Sequence, residues 1–233
     1  MKLAVFDIDG TLTVGDGLGT RCFFSTLAEM FGEAGIDRRL ESYAESTDCG
    51  IAREAARRAL GRDAEPHEFD AFKSAYLELL DREIAARTRP YRPVAGAEEI
   101  LPRVASMPGW HVAIATGNWR RAAALKLDCA TIRATAPRAC SEDGVSRAGV
   151  LAAAISAASA DAGGIEYEKV VYVGDQPWDV RAARAMSAAF VGIGHGVRAD
   201  RLAETGALVA ADYRDVARFV EMLEAASSPR TDF

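Results

Sequence analysis

The sequence has little that would tie it to a membrane, a nucleic acid or a redox partner. Its 28 Lys+Arg against 34 Asp+Glu leave a formal charge of −6, the wrong sign for a dedicated binder of nucleic acid or anionic lipid. No uninterrupted apolar run is long enough to span a bilayer, and the opening Met1–Phe6 meets Asp7 too early for the apolar stretch of a signal peptide. A cytoplasmic location is expected. Cysteine is sparse: Cys22, Cys49, Cys129 and Cys140 show no C-x-x-C spacing, so neither a zinc knuckle nor a redox pair is indicated. The three histidines, His67, His111 and His195, are scattered and read as surface or packing residues. Internal repeats are absent, and the alanine-rich stretch 148–162 is more simply a helix than a low-complexity tract.

What is present is apolar material in a particular arrangement. At 49% hydrophobic and 27% charged, the chain can bury a core and is not intrinsically disordered. Four strand-length runs, 3–6, 112–115, 170–173 and 190–193, are almost continuously apolar, the pattern of strands buried on both faces of a parallel sheet. Helical segments rich in Ala, Leu and Arg alternate with them at 119–128, 147–162 and 180–186. The expected fold is therefore an α/β doubly wound parallel sheet. A further strand is expected near 131–135, an edge strand at 208–210, and a last helix at 215–225. From about Arg21 to Ala86 the alternation stops and only helical spacing remains, as at Phe69, Phe72, Tyr76 and Leu79–Leu80. Glycines at 15, 17 and 19 and prolines at 90 and 93 punctuate its ends. The expectation is an inserted helical cap, residues 15–89, between core segments 1–14 and 90–233, placed over the carboxyl ends of the strands where such sheets bind ligands.

The chemistry gathers at strand ends. Asp7-Ile8-Asp9-Gly10-Thr11 closes the first run, and Gly174-Asp175-Gln176-Pro177-Trp178-Asp179 closes the third. Two strands delivering paired carboxylates to one edge repel unless a positive charge lies between them, and few oxygen ligands with room for water and phosphate describe magnesium better than zinc or a calcium cage. Thr116-Gly117-Asn118 closes the second run. A hydroxyl and backbone amides there, with a helix N-terminus beginning near Trp119, would suit a phosphate, although taken alone these residues read first as a plain Thr or Asn helix cap.

In this order these residues resemble the motifs of the haloacid dehalogenase superfamily, within it the phosphatases with a small helical cap. The resemblance implies that Asp7 attacks phosphorus to form an aspartyl phosphate and that Asp9 serves as acid and then base. It implies magnesium on the side chains of Asp7 and Asp175 and on the backbone carbonyl of Asp9, with Asp179 assisting, and a small phosphorylated metabolite as partner. The family also supplies a phosphate-binding Lys or Arg between the second and fourth motifs. Arg147, at the start of a helix, is preferred over Lys126, which reads as a surface or packing residue. In the cap, Thr47-Asp48-x-x-Ile51-x-x-Glu54 is similar to a pattern of phosphoglycolate-phosphatase-like members, and Arg21 is a candidate for a second anionic group on the substrate. The expected activity is magnesium-dependent hydrolysis of a phosphate monoester, against the alternatives of phosphoglucomutase-like transfer, a dehalogenase, or a non-catalytic binding protein of the same fold.

Overall fold

The computed structural model describes residues 1–230. Its main sheet has six parallel strands in the order β5-β4-β1-β6-β7-β8, namely β1 (Lys2–Phe6), β4 (Trp110–Ala115), β5 (Arg138–Ala139), β6 (Lys169–Gly174), β7 (Ala189–Ile193) and β8 (Leu208–Ala210). The apolar runs are continuous because successive residues serve opposite faces. Ala4 and Phe6 of β1 join Val112, Ile114, Val171 and Val173 in one buried cluster, while Leu3 and Val5 join Ala113, Ala115, Tyr172 and Phe190 in the other. The first face is covered by α4 (Ala97–Ala105), α5 (Arg120–Cys129) and α9 (Val216–Ala225), the second by α6 (Arg147–Asp161), α7 (Pro177–Ala185) and α8 (Val197–Glu204). Strand β1 lies between β4 and β6, so the chain order reverses at β1 and opens a crevice at its carboxyl end.

The expected strand at 131–135 does not form. Thr131 takes a left-handed backbone with φ 60° just after α5, which ends the helix instead of starting a strand. The sheet edge is made later, where Arg138 and Ala139 pair with Ile114 and Ala115. Two features were not anticipated. The segments flanking the helical block, β2 (Thr13–Gly15) and β3 (Tyr91–Pro93), pair as an antiparallel ribbon, so the glycine and proline punctuation marks two strands of a stalk. Helices α4 and α8 also lay outside the sequence reading.

Between β2 and β3 the chain forms α1 (Leu18–Phe31), α2 (Asp48–Leu60) and α3 (Pro66–Ala85). Thr47 caps α2 by accepting the Gly50 amide at 3.1 Å, and Glu65 with Glu68 forms a capping box around Pro66 at the start of α3. The block's apolar faces meet at Phe23, which lies edge-on to Phe72 at 5.3 Å and to Tyr76 at 5.2 Å between centroids. Trp119, in the turn between β4 and α5, is only 1% exposed and enters the same aromatic group, 5.8 Å from Phe23. One apolar cluster thus runs from the sheet into the block. Among the described residues no helix is long and apolar enough to cross a membrane.

Candidate active site

The carboxyl ends of β1, β4 and β6 border a cavity of about 800 Å³ whose opposite wall comes from the helical block. Asp7 directly follows β1 and donates its backbone N–H to Val173 O at 2.9 Å, which ties the nucleophile candidate to the neighbouring strand. Three residues on, the chain must turn sharply: Gly10 has φ 79°, and a Cβ there would stand 2.1 Å from Asp175 Oδ2. Only glycine allows the two acidic motifs to approach this closely.

Oxygens of Asp7, Asp175 and Asp179 lie within 4.8 Å of one another, and all three residues are buried. Arg147 Nη1 is 3.2 Å from Asp7 Oδ1, and its Nε is 3.2 Å from Asp179 Oδ1. Arg198 reaches in from α8 to Asp175 Oδ2 at 2.8 Å, and Gln176 Nε2 donates to the same oxygen at 2.6 Å. Asp175 Oδ1 is buried with no hydrogen-bond partner among the described residues. Asp179 is more fully engaged. Its Oδ2 accepts the Asp175 and Gln176 amides at 3.2 and 3.1 Å, and its Oδ1 accepts Tyr172 OH at 3.1 Å. Burial drives the Asp7 carboxyl well above its usual range despite the opposing Arg147 charge. Burial and the Asp179 charge push Asp175 up to about 8, and burial raises Asp179 as well. Three enclosed acids with an oxygen left over are a donor set suited to a hard divalent cation.

Asp9 belongs to a different cluster. Its Oδ2 accepts from Lys126 Nζ at 2.6 Å and from Asn118 Nδ2 at 2.7 Å, while Lys126 also donates to Asn118 Oδ1. Burial alone would raise Asp9, but the Lys126 charge and both hydrogen bonds bring it below its ordinary value. Lys126 is therefore not the surface or packing residue its sequence context suggested. It is 5% exposed, and although burial opposes its charge, Asp9 raises its affinity for the proton. The Lys-Leu context hid this, because the helix turn that carries Lys126 faces the cavity instead of solvent.

Other expectations also shift. Thr116 is fully buried, and its hydroxyl accepts the Asn118 N–H at 3.2 Å and Asn118 Nδ2 at 2.8 Å, so it supports Asn118 and does not line the cavity. The first two amides at the N-terminus of α5 already have acidic partners: Trp119 N–H donates to Asp48 Oδ2 at 2.8 Å and Arg120 N–H to Glu142 Oε2 at 2.9 Å. Two acids already use that helix end. Asp48 holds the block against the sheet, since its own amide donates to Gly117 O at 2.7 Å; Gly117 has no room for a Cβ, which would sit 2.7 Å from Ser46 O. Thr47 donates to Val145 O, and Cys49 N–H donates to Ser141 Oγ at 2.8 Å. The Thr47-Asp48 pattern therefore works as a latch, with Glu54 accepting the Ala44 amide at 2.8 Å behind it. Arg21 turns outward to Asp16 at 3.0 Å and is 55% exposed. His111 packs on Tyr167, whereas His195 lines the cavity. Arg198 is the site residue that the sequence reading missed, while Lys126, weighed there as the rival phosphate-binding cation, stands beside Asp9. A signal for Arg198 existed only in its position just after β7, at the start of α8, beyond another strand end of the same sheet edge.

A family model described as haloacid dehalogenase-like hydrolase matches residues 1–187. The chain belongs to the haloacid dehalogenase-like hydrolases. Among solved structures, a hydrolase from Pseudomonas syringae is similar with a TM-score of 0.71 at 19% identity, covering 95% of this chain and 98% of that one. A HAD hydrolase of family IA, variant 3, from Entamoeba histolytica gives 0.67 at 12% identity, covering 96% and 100%. CbbY from Rhodobacter sphaeroides, in complex with xylulose-(1,5)bisphosphate, gives 0.65 at 17% identity, covering 91% and 95%. At these identities the likeness is one of fold. No curated protein matches the chain.

Proposed function

We propose that the protein hydrolyses a small-molecule phosphate monoester with magnesium, through a phosphoryl group carried on Asp7. The observation that carries this reading is the cluster of Asp7, Asp175 and Asp179 around Arg147, opening on the same cavity as Asp9. Asp7, Asp175 and the backbone carbonyl of Asp9 would hold the cation. The fully engaged Asp179 would orient Arg147 and the Asp175 backbone from behind. When bound, magnesium neutralises charge on the phosphate and on the attacking carboxylate. Arg147 binds the phosphoryl oxygens with its fork, and Gly117 and Asn118 border the same space. An Asp7 oxygen bonds to phosphorus as the ester P–O bond breaks; Asp9, ionised beside Lys126 in the free protein, takes up a proton when the anionic phosphate enters next to it and gives that proton to the departing alkoxide. Water then attacks phosphorus and Asp9 takes its proton, releasing inorganic phosphate and the Asp7 carboxylate.

In this reading residues 15–89 are a cap domain that excludes water from the reaction, and segments 1–14 and 90–233 are the core. The test is release of inorganic phosphate from a panel of phosphorylated metabolites with magnesium and with chelator. Formation of a phosphate-bearing isomer without free phosphate would instead indicate a mutase, and activity that survives chelation would contradict the metal assignment.

A further inference from the structure

The wall of the cavity opposite the acids differs in chemistry from the sheet edge. From the helical block it receives Phe23, Phe24, Leu40, Ile51 and Tyr76, together with two carboxylates, Glu41 and Asp48. Among the described residues no Lys or Arg of that block lines it. All three cations that do line it come from the other side, and each already faces an acid: Lys126 meets Asp9 at 2.6 Å, Arg147 meets Asp7 at 3.2 Å and Arg198 meets Asp175 at 2.8 Å. The one cap cation considered for a second anion, Arg21, is turned to Asp16.

Resting on the phosphatase reading, we propose that the substrate is a phosphate monoester whose alcohol carries no second anionic group and lays an apolar body against Leu40 and Val14, the apolar lining residues on this side that keep exposed surface. One phosphoryl group has Arg147 and the acid-bound cation to receive it. A second phosphate or a carboxylate on the alcohol would stand beside the carboxylates of Glu41 and Asp48, repelled by their charge and without a cation of the block to pair with. An uncharged alcohol meets no such repulsion there and covers aliphatic surface. Discrimination of this kind works by rejecting the wrong ligand as much as by holding the right one.

The test uses two uncleavable phosphonates of equal shape, 3-phosphonopropionamide and 3-phosphonopropionate, titrated by calorimetry into the whole protein with magnesium. The amide should bind at least about tenfold more tightly, a difference of roughly 1.4 kcal/mol, and 2-phenylethylphosphonate more tightly still. The exposed Glu41 can be exchanged without disturbing the core, and Glu41→Arg should narrow the amide-to-carboxylate gap. Equal or tighter binding of the carboxylate, a gap unchanged in Glu41→Arg, or no binding of any phosphonate would overturn the proposal. Turnover of the matching esters, phosphoglycolamide and phosphoglycolate, separates the two readings. The binding preference without turnover of either ester would sink the phosphatase reading alone, and turnover favouring phosphoglycolate would sink this inference alone.

Discussion

Asp7 and Asp9 stand two residues apart at one strand end, yet the charge around them is arranged in opposite ways. Around Asp7 three carboxylates are enclosed, Arg147 reaching Asp7 and Asp179 and the half-exposed Arg198 reaching Asp175; the acids there are raised. Around Asp9 a single carboxylate is matched by a buried lysine and an amide; the acid is lowered. The first cluster is short of positive charge, and the second is balanced. The difference teaches that a cation is wanted at Asp7, whereas Asp9 is held in place by the protein alone.

Neutralising each carboxylate in turn should separate the clusters most sharply. Asp7→Asn is expected to lower phosphate release by at least about 10⁴-fold, the scale seen when a nucleophile is removed, with the melting temperature unchanged or higher because one crowded charge is gone. Asp9→Asn should reduce the rate by on the order of 10²–10⁴, the usual worth of positioned proton transfer, and most strongly for esters with poor leaving groups. A rate insensitive to this change would remove Asp9 from the chemistry.

The two cations provide the next contrast. Arg147→Ala should weaken vanadate binding and reduce turnover by about 10²–10³, the range for loss of one preorganised charge-stabilising donor, and Arg147→Lys should recover part of it because charge returns without the fork. Lys126→Met should leave vanadate binding intact but cost about 1–3 kcal/mol of stability, since it strips Asp9 and Asn118 of a charged partner. Urea unfolding of both variants checks this, and a vanadate-blind Lys126→Met would reverse the assignment.

The smallest expected effect is on stability without substrate. Magnesium at a hundred times its Kd should stabilise the protein by about 2.7 kcal/mol, or roughly 5–10 °C in Tm, and Asp175→Ala should abolish the rise. In chelator the sign with pH is fixed by the raised acids. Folded Asp175 keeps its proton up to about 8, whereas unfolded aspartate loses it near 4, so its contribution to stability is fullest below about pH 4 and is lost as pH rises toward 8. Asp175→Asn should flatten that fall, which thermal unfolding across the range would detect.

Much of this was legible in the sequence, for a physical reason. Strands buried on both faces must be apolar throughout, so β1, β4, β6 and β7 declared themselves, and acids placed at their ends had no structural excuse. The residues that escaped were those whose meaning depends on which way a helix faces. Lys126 looks like any helical lysine until α5 is packed on the sheet, and Thr116 looks like a phosphate ligand until its hydroxyl is seen holding Asn118. The amides at the start of α5 seemed available because Asp48, which takes one of them, lies 71 residues earlier in the chain. Short elements fared worst, as with β5, whose two residues carry no periodicity.

The most direct measurement is acid-quenched peptide mass spectrometry of the Asp9→Asn variant during turnover with magnesium, a condition in which loss of the base slows the second step. One phosphoryl group is expected on the peptide containing Asp7, absent in chelator and absent when Asp7 is also changed to Asn. A phosphoryl group found on any other residue, or turnover in Asp7→Asn at the parent rate, would contradict it.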